Sequence, residues 1–199
     1  MRPKTVLRIV ERALAAIGVA AIGYCGLILI EARWFQYQEK QSLLKALPAA
    51  PPPALPAVNQ PKPELRFEEG SPLGLLEIPR LNLSTMVLEG TEASVLRRGA
   101  GHVEGTAFPW GTGNSAIAGH RDTIFRPLRH IHAKDEIVVT TLRGKFRYQV
   151  DWTKIVDPHQ TEVLRPGTKQ ALTLITCYPF YYIGNAPKRF IVHAVRLAG

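Results

Sequence analysis

The region from residue 73 to residue 197 is a succession of short apolar or alternating segments, and no other feature of the chain constrains the fold as strongly. The segments are rich in Val, Ile, Leu, Thr and Tyr, a composition that favours β-strands. Turn-forming residues separate several of them, at 142–144, 157–158 and 165–167. The predicted strands are 73–78, 83–88, 115–119, 136–141, 145–156, 171–177 and 189–197.

Only two stretches of this region, 92–98 and 125–132, have a pattern that allows a helical turn or two. Residues 71–199 are numerous enough for one domain with its own hydrophobic core. We therefore predict a single all-β domain over 71–199, closed or nearly closed into a barrel, with short helices.

The segment 13–30 is apolar and carries no charged residue. As a helix it is about 27 Å long, close to the hydrocarbon thickness of a bilayer. Four basic residues and a single acid precede it, which favours a cytoplasmic N-terminus over 1–12. The sequence thus predicts a transmembrane signal-anchor helix over 13–30 in the cytoplasmic (inner) membrane, crossing once, with the following domain outside the cytoplasm.

A cleaved signal peptide is the alternative, because basic and apolar segments in this order serve both purposes. The apolar run is long for such a peptide, and the flank 31–37 contains aromatic residues in place of a small-residue cleavage site. These features favour an uncleaved anchor.

The segment 31–70 is predicted to connect the anchor to the barrel. Its part 39–47 can extend the helix by about two turns, after which seven prolines between positions 48 and 63 exclude regular structure. Such a segment is typical of a semi-rigid spacer; a proline-rich peptide ligand is the alternative.

The chain has two cysteines, and Cys177 is the one outside the apolar segment. A thiol outside the cytoplasm with no partner for a disulfide favours a reactive role. The formal net charge of +9 suits an anionic cell envelope or simply solubility. Nucleic acid is not expected as a partner, because no nucleic-acid motif accompanies the charge.

Three chemically active residues lie at the ends of predicted strands. Cys177 ends the strand 171–177, Arg189 begins the next strand, and His120 follows the strand 115–119. If the last two strands are antiparallel, Cys177 and Arg189 lie at the same end of the sheet. A thiolate is the attacking form of cysteine, a histidine can exchange the protons of an acyl transfer, and an arginine can stabilise the oxyanion.

The segments 114–122 (NSAIAGHRD), 173–177 (TLITC) and 177–189 (CYPFYYIGNAPKR) resemble the histidine, cysteine and arginine motifs of the sortase family. The likeness is to class D sortases and covers about 73–195. It implies a closed eight-stranded β-barrel and a cysteine transpeptidase at the outer face of the membrane. It also implies that Cys177 attacks an LPxTG-like sorting signal of a secreted protein, forming a thioacyl enzyme that an amine of the envelope or of a protein lysine resolves.

By the same resemblance His120 is the general acid and base, and Arg189 binds the backbone near the scissile bond and the oxyanion. Thr176 is predicted as a substrate contact or as a support of the catalytic residues, with an ordinary strand residue as the alternative. Asp122 is a candidate for orienting His120, although a local turn contact is favoured. No metal and no cofactor are expected, and the remaining histidines are interpreted as structural or solvated.

Two other functions are left open by the residues. An L,D-type cysteine transpeptidase acting directly on wall peptides also pairs Cys with His, although its Ser-His-Gly-Cys-like neighbourhood is absent around Cys177. A non-catalytic binding module with a buried Cys177 is the other, since unpaired cysteines are often simply buried.

Overall fold

The structure is a computed structural model, and it describes residues 3–46 and 67–197. The helices are α1 (Pro3–Ala46) and α2 (Ala93–Arg98), with short 3-10 turns at Pro79–Leu81, Arg126–His130 and Thr161–Leu164. The strands are β1 (Pro72–Ile78), β2 (Leu83–Glu89), β3 (Ala100–His102), β4 (Asn114–Ala118), β5 (Glu136–Thr141), β6 (Gly144–Val156), β7 (Ala171–Tyr178) and β8 (Lys188–Arg196).

The eight strands form a closed barrel in the order β1-β2-β3-β4-β7-β8-β6-β5. Two neighbouring pairs, β2 with β3 and β4 with β7, run parallel, and the others are antiparallel. The predicted all-β domain with eight strands is confirmed. Both predicted helical stretches are present as well, one as α2 and the other as the turn Arg126–His130.

On the last two strands the main core lies on one face, although the other face is also partly buried. On β7 and β8, the even-numbered residues Leu172, Leu174, Val192 and Ala194 belong to the main core. Because successive side chains in a strand point to opposite faces, the odd-numbered Cys177 and its partner across β8 lie on the other face.

A two-residue turn at 142–143 joins β5 to β6, where Thr141 pairs with Gly144. The φ of Gly144 is 134°, a value that favours glycine.

The C-terminal part of α1 packs on the barrel beside β1, β2 and α2. Leu43 is buried there in a second apolar cluster with Leu75, Met86, Leu88 and Val95. The Gln36 side chain donates to the carbonyl of Arg98 and accepts from the amide N–H of Met86. Satisfying two backbone groups with one amide fixes the helix against the domain. The predicted helical extension is thus present to Ala46, and it is docked.

Within 3–46 and 67–197, no helix combines the length and the apolar character that crossing a membrane requires. The predicted spanning helix over 13–30 is therefore not supported, although α1 covers those positions. The segment 1–12, predicted to be cytoplasmic, lies only partly within the described residues, and the proline-rich part of the predicted spacer, from 48 to 63, lies outside them.

Candidate active site

Three adjacent strands bring the predicted catalytic residues to one end of the barrel. Strand β4 runs parallel to β7 with Ala118 opposite Ile175, so continuing this register by two residues places His120 level with Cys177. Strand β8 runs antiparallel to β7, with Arg189 directly opposite Cys177. His120, Cys177 and Arg189 therefore follow one another across the sheet, although no hydrogen bond joins any two of them among the residues the structure describes.

The backbone beside His120 is held from both sides. The Thr176 hydroxyl donates to the carbonyl of Gly119 at 2.7 Å, and the Gly119 N–H donates to the carbonyl of Ile175 at 3.0 Å. After His120, its own carbonyl accepts from the N–H of Phe125 at 2.9 Å. Each bond restricts the backbone at the strand end that carries the imidazole. The backbone of His120 is therefore fixed, while the residue remains exposed.

Gly119 is required by packing. A Cβ at this position would lie 2.7 Å from the buried ring of Phe125, closer than carbon atoms approach. The small residue therefore allows the turn after His120 to close over the core.

Thr176 supports the catalytic strand and does not line an open surface. Only 2% of the residue is exposed, and its hydroxyl is committed to Gly119. The contact agrees with a supporting role for Thr176, which stays a prediction. Asp122, by contrast, is exposed and makes no hydrogen bond or ion pair with His120 among the described residues, so the structure does not bring these two side chains together.

Cys177 is a free, half-buried thiol, and the other cysteine, Cys25, is exposed on α1. The Arg189 Nη1 donates to the carbonyls of Ala186 and Lys188 at 3.1 and 3.0 Å. Its Nε and Nη2 have no partner among the residues described, so these N–H groups are available to a substrate oxygen.

The loop between β7 and β8 is held by a residue that the sequence reading did not single out. Arg121 Nη2 donates to the carbonyls of Tyr182 and Gly184 at 2.7 and 3.1 Å, and its guanidinium lies over the Tyr182 ring at 5.7 Å. A second guanidinium, that of Arg129, lies over the Tyr181 ring at 5.4 Å. The position of Arg121 directly after His120 was the sequence feature that could have indicated its role. Loop positions beside a functional residue are often functional themselves.

A cavity of about 630 Å³ lies beside His120, between α1, α2 and the loop after β4. His120 shares its lining with Thr123, Ile124 and Pro127 and with basic residues of the two helices, Arg33, Arg97 and Arg98. The docked helix thus contributes to the surroundings of the histidine, which could not be read from the sequence.

Two of the other histidines contact protein groups on or between strands. His102 is 1% exposed, and its Nδ1 lies 2.9 Å from Glu89 Oε2, so the pair links β2 to β3 in the interior. His193 stacks on Trp152 and lies 3.0 Å from Asp151. The described residues contain no group of three or more His, Cys, Asp or Glu that could hold a metal ion.

The closed barrel brings a cysteine, a histidine and an arginine to neighbouring strand ends, an arrangement that suits acyl transfer through a thiol. A family model described as the sortase domain matches residues 76–197. The chain is 34% identical to Sortase D of Bacillus subtilis over 198 residues, which cover 96% of this chain and 98% of that protein. It belongs to the sortase family, as the sequence resemblance predicted.

Solved structures show the same relationship. A Sortase D5 transpeptidase of Clostridium perfringens aligns with a TM-score of 0.61 and 30% identity, covering 67% of this chain and 83% of that one. Clostridium perfringens sortase C, solved with the C-terminal cell wall sorting motif, aligns with a TM-score of 0.63 and 30% identity, covering 71% of this chain and 79% of that one. Sortases are cysteine transpeptidases. Membership of this family therefore argues against the two alternatives, the L,D-type enzyme and the non-catalytic binding module.

Proposed function

We propose that this transpeptidase cleaves an LPxTG-like sorting signal on a secreted protein through a thioacyl enzyme and transfers the acyl group to an amine. The observation that carries the proposal is the register of β4, β7 and β8, which sets His120, Cys177 and Arg189 side by side. The relative solved with a sorting motif supports the choice of substrate.

In the first step the Cys177 thiolate attacks the carbonyl carbon of the scissile bond, and a C–S bond forms. The C–N bond then breaks, and His120 donates a proton to the departing amine. In the second step an incoming amine attacks the thioester, His120 accepts a proton from it, and the thiolate leaves. The amine belongs to the cell envelope or to a protein lysine, which corresponds to anchoring or to polymerisation.

Arg189 stabilises the oxyanion of both tetrahedral intermediates. Its guanidinium is permanently charged and carries several donors in one plane, so it can hold two loop carbonyls and still donate to a third oxygen. A lysine has a compact charge and cannot reproduce this geometry.

We also propose that the barrel acts outside the cytoplasm, at the outer face of the inner membrane, as a single-pass protein with a cytoplasmic N-terminus. The apolar segment 13–30 and the basic residues before it support this location. The described helix is not long and apolar enough to cross a membrane, so the location needs a direct test. Cell fractionation combined with protease protection is the decisive one. Recovery of the barrel in a protease-protected soluble fraction would contradict the proposal.

The activity is tested by intact-protein mass spectrometry of the full chain with a panel of LPxTG-like peptides and an excess of a small primary amine. Cys25→Ser makes Cys177 the only thiol of the protein under test. We expect a thioacyl adduct on Cys177 and an amine-exchanged peptide.

Three variants control the experiment. Cys177→Ala should give neither product with the fold intact, His120→Ala should retain almost none, and Arg189→Lys should fail to turn over. Wild-type turnover in Arg189→Lys would contradict the role of the guanidinium. A folded protein whose Cys177 neither reacts with thiol reagents nor forms an adduct would contradict the mechanism.

A further inference from the structure

Two guanidiniums donate to alternate backbone carbonyls in the loop 179–187 and at the first residue of β8. Arg121, beside the catalytic histidine, donates to the carbonyls of Tyr182 and Gly184. Arg189 donates to those of Ala186 and Lys188. Arg121, which directly follows His120, therefore holds the middle of the loop between Cys177 and Arg189. Arg189 holds the C-terminal end of the same loop.

We propose that Arg121 is a positioning residue that fixes the guanidinium of Arg189 through this loop. The inference rests on the proposed function, because it concerns how the oxyanion donor is placed. Among the described residues, Arg121 makes no hydrogen bond with Cys177, and its acceptors are carbonyls of the loop.

The contacts of Arg121 with the loop, which together are called the clamp here, indicate that it holds the loop in place. Hydrogen bonds from a charged donor are stronger than neutral ones, and Arg121 makes two of them to backbone carbonyls while it lies over the Tyr182 ring. The loop has few other constraints at its tip, where Tyr181 is 73% exposed and Ile183 is fully exposed.

One donor of the clamp is left unpaired. Arg121 Nη1 is buried and has no hydrogen-bond partner among the described residues. A buried unpaired donor is unfavourable, so the position of this side chain is maintained by its other contacts.

The consequence for catalysis is specific. If Arg121 releases the loop, the carbonyl of Ala186 no longer holds the Arg189 guanidinium in one place, and only the carbonyl of Lys188, which is fixed on β8, still accepts from it. Stabilisation of the oxyanion exists only in the transition state, so its loss lowers kcat while substrate binding is little changed.

The test compares Arg121→Met with Arg129→Met in the full-length protein. Arg129 is the matched control, because its guanidinium also lies over a tyrosine of the loop but donates to the neighbouring His130 and not to a loop carbonyl. We expect kcat for amine exchange to fall at least about tenfold in Arg121→Met, with KM for the peptide within about threefold. Arg121→Lys should recover only part, since a compact ammonium does not reproduce the planar contact of the guanidinium with the Tyr182 ring.

Hydrogen exchange gives a second readout that does not depend on catalysis. Peptides covering 179–187 should exchange faster in Arg121→Met than in the wild type or Arg129→Met, at equal Tm. Unchanged exchange and unchanged kcat in Arg121→Met would overturn the proposal, and so would a loss confined to KM or an equal loss in Arg129→Met. If the wild type shows no transpeptidation, the proposed function fails at that point, whereas the exchange experiment still decides whether Arg121 holds the loop.

Discussion

Replacing Thr176 by valine tests whether the strand end that carries His120 must be fixed. The substitution keeps the shape of the side chain and removes the hydroxyl that donates to the carbonyl of Gly119 at 2.7 Å. The bond is buried, and leaving a buried acceptor unpaired costs about 1–3 kcal/mol of stability. A shift of the imidazole by about 1 Å can cost on the order of a hundredfold in rate, so we expect kcat to fall roughly ten- to a hundredfold.

Thr173→Val is the matched control on the same strand. The Thr173 hydroxyl donates to the Asn114 side chain on β4 at 2.8 Å, and Thr173 is fully buried, but it lies at the other end of β7 from the catalytic residues. Both variants should lose similar stability in thermal or urea unfolding, and only Thr176→Val should lose kcat in the amine-exchange assay. Equal kcat losses in the two variants, or wild-type kcat in Thr176→Val, would refute the reasoning.

Three other perturbations test separate parts of the structure. Leu43→Ala should undock the end of α1, at about 2–5 kcal/mol for a buried leucine, and hydrogen exchange at 36–46 should rise; the exposed Leu44→Ala should leave it unchanged. Gly119→Ala should lower stability by about 1–3 kcal/mol and reduce activity, because its Cβ meets a buried phenylalanine ring; a wild-type Tm would contradict this. The pKa of Asp135 is lowered by its hydrogen bond with Arg80, so its contribution to stability is present above about pH 4 and is lost as pH falls through the folded-state pKa. Urea unfolding of Asp135→Asn should show its deficit at pH 7 and lose it in strong acid, and an undiminished deficit there would exclude this linkage.

The strands that carry the site could be predicted because their patterns are local. The segments ending at Cys177 and beginning at Arg189 are short, largely apolar and bounded by turns, and each is displaced by at most one residue at either end from the strands observed. Strand β3 is absent from the predicted strands, because three residues containing a glycine give too short a pattern. His102 was consequently not expected to pair with Glu89.

The docking of α1 could not be predicted for a different reason. Gln36 satisfies the backbone at Met86 and Arg98, which are remote in sequence, and a glutamine on a helix carries no sign of such partners. The same holds for Arg121, whose acceptors are carbonyls of a loop more than sixty residues away. Side-chain contacts to distant backbone groups leave no periodic pattern for sequence reasoning to use.

The mixed direction of the strands is what permits the site to exist. Because β4 and β7 are parallel, the C-terminal ends that carry His120 and Cys177 lie at one edge of the barrel; antiparallel pairing would have separated them by the length of a strand. The following antiparallel pair then returns the chain to the same edge with Arg189. A slip of one residue in β7 would exchange Cys177 with Thr176 between the two faces. The buried bond from Thr176 to Gly119 opposes that slip, so Thr176 stabilises the register that keeps Cys177 on the face away from the main core.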